Sequence, residues 1–350
     1  MHFKGKGFSL VELLVGLLLS SIFLLAVTRI FSESASSYRS NRDELTLMET
    51  SRFALQDITK DLKRAGYLGC VPTGLYEDED DNSERVIVNL RGPGNASLYG
   101  SGGMQFSYAV YGVDGSGDKP DVLNVVYSQD LDIRVLDFKG QHDLADAYGK
   151  DIIVDATNVL DSAGAPVIHE GDLLVLSDCA TAHPFVLTAN PAVVSLSTTS
   201  AYKESGITKV AALENSTSTV DGFQNIQKPS MFNDYASGGA SSLGKLFHIT
   251  YMVGKSKIDP DGDKNSLFRI VNGEAPSIHN ELISAVKDFQ IKYGVRDDAA
   301  NAQDGLPDRF IDANGNFDNT PSAVTIKITL DRGSDEEMLE TTINLRNRGL

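Results

Sequence analysis

The sequence predicts an α+β protein: one long N-terminal helix followed by a mainly antiparallel β domain. Three observations carry this. Residues 8–65 contain no proline and a single glycine, Gly16. Apolar residues in the second half of that stretch recur at helical spacing. Beyond Gly66, polar and apolar residues alternate in short runs separated by Gly- and Asp-rich turns.

The chain starts with a short basic leader, residues 1–7, which holds Lys4 and Lys6 and ends at Gly7. Residues 8–27 then run almost wholly apolar, and Glu12 is the one charge among them. About 20 such residues in a helix rise roughly 30 Å, the thickness of a bilayer core. A carboxylate at the centre of such a span costs ~2.5–3.5 kcal/mol on insertion scales, and less near an end. Glu12 lies within about two turns of the start, so its cost is partial, and it needs a partner once the helix leaves lipid. Two readings leave Glu12 idle. One is a secretory signal cut beside Ser34, Ala35 and Ser36, although the apolar run is longer than such signals use. The other is a plain membrane anchor.

The helix continues past the apolar run. Leu45, Met48, Leu55, Ile58, Leu62 and Ala65 fall on one face at intervals of three, four and seven. Arg39, Arg42, Asp43, Glu44, Arg52, Asp57, Lys60, Asp61, Lys63 and Arg64 are assigned to the other sides, and Gly66 ends the helix. A continuous helix over 8–65 is roughly 85–90 Å long. Its apolar first half and amphipathic second half suit an anchor whose far end packs on a globular head.

That head is expected over residues 66–350. Candidate strands are 85–90, 104–113, 122–127, 152–155, 172–176, 185–188, 193–196, 246–253, 268–271, 286–294, 324–330 and 340–345. Loops are expected at 78–82, 114–121, 235–242 and 297–319, and no internal repeat of fixed period is present. Hydrophobic residues make up 41% of the chain, enough to fill a core. The formal charge is −17; without Lys4 and Lys6 the basic count falls from 31 to 29 and the net to −19. That argues against a nucleic-acid partner and fits an acidic surface outside the cytoplasm. The two cysteines, Cys70 and Cys179, form a disulfide candidate in an exported domain, with two buried thiols as the alternative.

Catalytic patterns are missing. His2, His142, His169, His183, His248 and His279 are scattered, with no His-Glu-x-x-His or Cys/His zinc spacing, no phosphate loop and no nucleophile elbow. Ser242-Leu-Gly-Lys245 and Ser284-Ala-Val-Lys287 match Ser-x-x-Lys without its companion motifs. The chain is therefore expected not to be an enzyme and to need no cofactor. One cation remains a candidate. Asp312, Asn314, Asn316 and Asp318 place oxygen ligands at alternate positions around Gly315, as calcium favours, and Asp259-Pro-Asp261-Gly-Asp263 does so more weakly. The same residues also make plain turns.

Gly7-Phe8-Ser9-Leu10-Val11-Glu12-Leu13-Leu14, with the basic leader and the long apolar run, resembles the type IV prepilin signal. The resemblance implies cleavage between Gly7 and Phe8 by a prepilin peptidase, N-methylation of Phe8, and a helix that anchors in the inner membrane before packing in a filament core. It gives Glu12 a role in register, against the N-terminal amine of a neighbouring subunit. Many major pilins carry a proline where Arg29 stands here.

Arg64-Ala-Gly-Tyr-Leu-Gly-Cys70, residues 171–179, residues 286–295 and Leu345-Arg-Asn-Arg348 further resemble PilW-type minor pilins. This implies a pilin-like head and a role in priming pilus assembly at the filament tip. Implied partners are other minor pilins, the major pilin, a PilY-type tip adhesin and the inner-membrane assembly platform. The implied location is a single-pass inner-membrane subunit with a periplasmic head, later carried to the pilus and cell surface. The similar J-type pseudopilins of type II secretion are the alternative, and a membrane-tethered hydrolase or binding domain is a third reading.

Overall fold

A computed structural model describes residues 9–69, 71–72, 108–115, 119–138, 152–177, 182–187, 189–195, 209–213, 242–260, 262–295, 307–313, 321–331 and 336–345. The chain divides into two compact units, Met1–Phe53 and Ala54–Leu350; the second is called the head unit below.

Helix α1 (Leu10–Arg64) is a single helix of 55 residues, a rise of ~82 Å at about 1.5 Å per residue. Lys63 and Arg64 occupy its last turn, where the dipole favours cations. It stops as the sequence predicts. The Ala65 amide donates to Leu62 O at 3.2 Å, and Gly66 turns left-handed at φ 77°. The Gly66 amide then donates to Val126 O at 2.8 Å, so the helix ends against a strand.

Among the described residues the head unit holds three antiparallel sheets. β1 (Tyr67–Leu68) and β2 (Val71–Pro72) form a small ribbon. The main sheet contains β3 (Val110–Val113), β4 (Val122–Phe138), β5 (Ile152–Asp155), β6 (Leu173–Ser177), β7 (Ala182–Val186), β8 (Ala192–Ser195), β9 (Lys209–Leu213), β10 (Ser242–Lys255), β11 (Asn265–Val271) and β12 (Glu281–Ser284). Its order is β12-β11-β10-β4-β5-β9-β8, with β3 on β4 and the β6–β7 pair on β10. β4 and β10 are the long members, with 17 and 14 residues. β10 pairs with β4, with β6 through its first residues and with β11 through its last. The third sheet runs β14 (Arg309–Asp312), β13 (Val286–Val295), β15 (Ala323–Asp331) and β16 (Glu336–Asn344).

Two cores result. The helix end buries Ala54, Ile58, Leu62 and Ala65, and complete burial of Ile58 or Leu62 stabilises by ~1.5–3 kcal/mol each. A second cluster gathers Ile133, Ile152, Val154, Ile168, Leu174, Leu187, Leu213 and Leu243 from the far ends of β4 and β10 and the short strands beside them. Asp121 stitches the main sheet to the third. Its amide donates to Phe289 O at 2.7 Å, while its carboxylate accepts from Gly115 N at 3.0 Å and Ile291 N at 2.9 Å. Burial pushes its pKa up, and the two amides offset part of that.

The α+β class and the antiparallel strands agree with the sequence, with differences of detail. The strand expected at 122–127 runs on to Phe138. Asp132 permits this by taking φ 53° at the irregularity opposite Leu243 and Gly244, its amide held by Asp130 Oδ1 at 2.9 Å. β1, β2, β9, β12 and β14 have no counterpart among the expected strands. The strand expected at 85–90 lies outside the described residues. On the helix, two assignments change. Leu45 is 66% exposed, so it does not belong to the packed face. Asp61, assigned to a polar side, is 3% exposed and faces the sheet, because three donors from the sheet meet it there.

Candidate assembly segment

The sequence placed function in the first turns of the helix. Gly7 and Phe8 lie outside the described residues. Glu12 stands in the first turn of α1 and closes a capping box with Ser9. Its Oε2 accepts from Ser9 N at 3.1 Å, and Ser9 Oγ accepts from Val11 N at 3.4 Å. Glu12 therefore has a local task besides any intersubunit one. The Ser9-Leu-Val-Glu12 spacing is the sequence signal for this cap.

Behind this cap the Met1–Phe53 unit presents a long uncovered apolar surface. Leu10, Leu14, Leu18, Phe23, Leu25 and Phe31 are exposed, Phe23 by 71%. A surface of this kind requires lipid or another protein. Its hydroxyls are already satisfied: Ser20 donates to Gly16 O at 2.7 Å, Ser21 to Leu18 O at 2.8 Å and Thr28 to Leu24 O at 3.0 Å. Arg29 follows the apolar run and pairs with Glu33 one turn on at 3.2 Å, a surface pair worth ~0.3–0.5 kcal/mol. By length and composition α1 can cross a membrane.

The head end of α1 carries a polar cluster that the sequence did not reveal. Asp61 Oδ1 accepts from the Tyr127 hydroxyl of β4 at 3.0 Å. Asp61 Oδ2 accepts from the Tyr251 hydroxyl of β10 at 2.7 Å and from Arg269 Nε of β11 at 2.8 Å. Arg64 lies 5.8 Å above the Tyr127 ring. Burial first, then the Asp61 charge, pushes both tyrosines up, Tyr251 well above 10. Asp61 also raises the Arg269 guanidinium, against its burial.

Among the described residues the other candidate groups stand apart from one another. His248 is fully buried in β10, with Nε2 2.7 Å from the Tyr111 hydroxyl and Nδ1 3.5 Å from Thr250 Oγ1. The Thr250 hydroxyl donates to Asn124 Oδ1 at 2.8 Å, so toward His248 it can only accept. That assigns the proton to Nδ1 and leaves Nε2 to accept from Tyr111. Burial pulls this imidazole down from 6.5 to about 3, and it serves as a core polar group. Lys245 pairs with Asp172 at 2.8 Å and Lys287 with Glu336. Asp312 ends β14 opposite Lys292, whereas Asn314, Asn316 and Asp318 lie outside the described residues, as do Cys70, Cys179 and Asp261. No group of three or more His, Cys, Asp or Glu side chains able to hold a metal gathers among the described residues.

Comparison with known proteins adds one finding. Residues 3–28 match the prokaryotic N-terminal methylation motif, which supports a type IV pilin-like protein, pseudopilins included. Searches of curated proteins and of solved structures each return no match.

Proposed function

We propose that the chain is a minor pilin of a type IV pilus, of PilW type, which helps to prime pilus assembly and takes a place in a tip complex. The observation that carries this reading is the methylation motif at 3–28 leading into an unbroken helix, Leu10–Arg64, whose end is built into a β-rich head. Residues 1–7 are the leader, 8–65 the pilin helix with 8–27 in the membrane, and 66–350 the periplasmic head. Prepilin peptidase cuts after Gly7, and Phe8 becomes the methylated terminus. Glu12 then exchanges its cap on Ser9 for the terminal amine of a neighbouring subunit. A desolvated pair of that kind sets register more than it adds stability. Cys70 and Cys179 close a disulfide in the head. The partners are other minor pilins, the major pilin, a PilY-type adhesin and the assembly platform. The work is contact between proteins, with no turnover.

Mass spectrometry of the mature N-terminus tests the first step. Methylated Phe8 is expected, and intact Met1 or a start near Ala35 overturns the reading. The motif is shared with pseudopilins, so a J-type pseudopilin is the second reading. Co-purification with secretion components in place of pilins would select it.

A further inference from the structure

We propose that Asp61 is a latch that holds the end of the helix on the main sheet in a single setting. The carboxylate is buried and accepts from Tyr127, Tyr251 and Arg269, one donor from each of three strands, β4, β10 and β11. Those strands are adjacent in the sheet, so one side chain ties the three together. The apolar neighbours Ile58, Leu62 and Ala65 grip without direction, since hydrophobic contact tolerates small slips. The Asp61 contacts do not. A slip of one residue moves a side chain by about 1.5 Å along the axis and about 100° around it. It brings Lys60 or Leu62 toward the Arg269 guanidinium, which then loses its counter-charge in a half-buried place. Removing one partner of a buried pair is far more damaging than removing both. The helix end is therefore either docked with Asp61 in place or released, with little between. This inference is independent of the pilin reading, because it concerns only how the head unit holds its own helix.

Hydrogen exchange on the full-length protein in detergent tests it. Asp61→Leu is expected to raise exchange of the 54–65 amides at least about a hundredfold while β13 and β15 stay within about threefold of wild type. Asp61→Leu with Arg269→Met leaves no buried charge and is expected to return the helix amides to within about tenfold of wild type. Unchanged helix exchange, an equal rise in β13 and β15, or a double variant no better than Asp61→Leu each overturns the proposal. If Asp61→Leu does not accumulate, Asp61→Asn keeps an acceptor for the tyrosine hydroxyls and removes the charge. Helix exchange about tenfold faster is then expected, and no change refutes the latch.

Discussion

His248 gives the head unit an acid sensitivity that can be worked out in advance. The imidazole is fully buried between Tyr111 and Thr250 and titrates at about 3, against 6.5 when free. Between those two values the unfolded chain binds a proton at this position and the folded chain does not. Stability contributed by the neutral imidazole is thus complete above pH 6.5 and falls as pH drops toward 3, by up to about 1.4 kcal/mol per pH unit. By pH 5 the loss is about 2 kcal/mol, a large share of a typical domain stability. The assay is urea unfolding of the full-length protein in detergent at pH 7, 6 and 5. Tyrosine emission reports it, since the chain has 12 tyrosines and no tryptophan. His248→Gln keeps a group that accepts from Tyr111 and cannot titrate. The variant is expected to be less stable at pH 7, with a pH dependence shallower than wild type by about 1 kcal/mol per unit between pH 6 and 5. Carboxylates and the other histidines titrate equally in both chains, so the comparison isolates one proton. Parallel lines from pH 7 to 5 would refute a buried neutral imidazole.

Other outcomes follow from the same structure. Gly7→Asp should leave full-length precursor on a gel, and Glu12→Ala should be processed but absent from sheared pili; normal pili from both variants would sink the assembly role. Glu281 accepts from Ser256, Ser266, Lys257 N and Ile258 N, which together hold its pKa below the usual range despite partial burial. Glu281→Ala should cost about 1–3 kcal/mol in urea unfolding at pH 7. In wild type the part of that due to the charge is lost as pH falls below the ordinary carboxylate value of 4.5. Ile58→Ala should cost about 2–5 kcal/mol by the same measurement, because Ile58 is completely buried under the head. A methyl group at Gly112 would run into the Tyr293 hydroxyl, so Gly112→Ala should lower stability by about 1–3 kcal/mol.

What the sequence revealed depended on how local the physics is. The helix was legible because periodicity, a missing proline and a stopping glycine all act within a few residues. The cap between Ser9 and Glu12 was equally local and could have been read. Asp61 could not be read fully. Its place beside Ile58, Leu62 and Ala65 sets it within the buried stripe, but a charge defaults to the solvent side unless a partner is known. Its partners lie 66, 190 and 208 residues away. The extension of β4 was hidden because Asp130 and Asp132 look like a turn, and only the irregular register opposite Gly244 absorbs them. β9, β12 and β14 are four or five residues each and are strands because a neighbour recruits them.

The long reach of Asp61 also sets a clock. Tyr251 and Arg269 emerge 190 and 208 residues after it. At ~5–20 residues per second, roughly 10–40 s of synthesis separates the helix from β10 and β11. During that interval the chain has its apolar helix but neither β10 nor β11, and Asp61 lacks its Tyr251 and Arg269 donors. A partner that recognised only the anchor would accept such an unfinished chain. A partner that touched the helix end together with β10 or β11 would take only completed subunits.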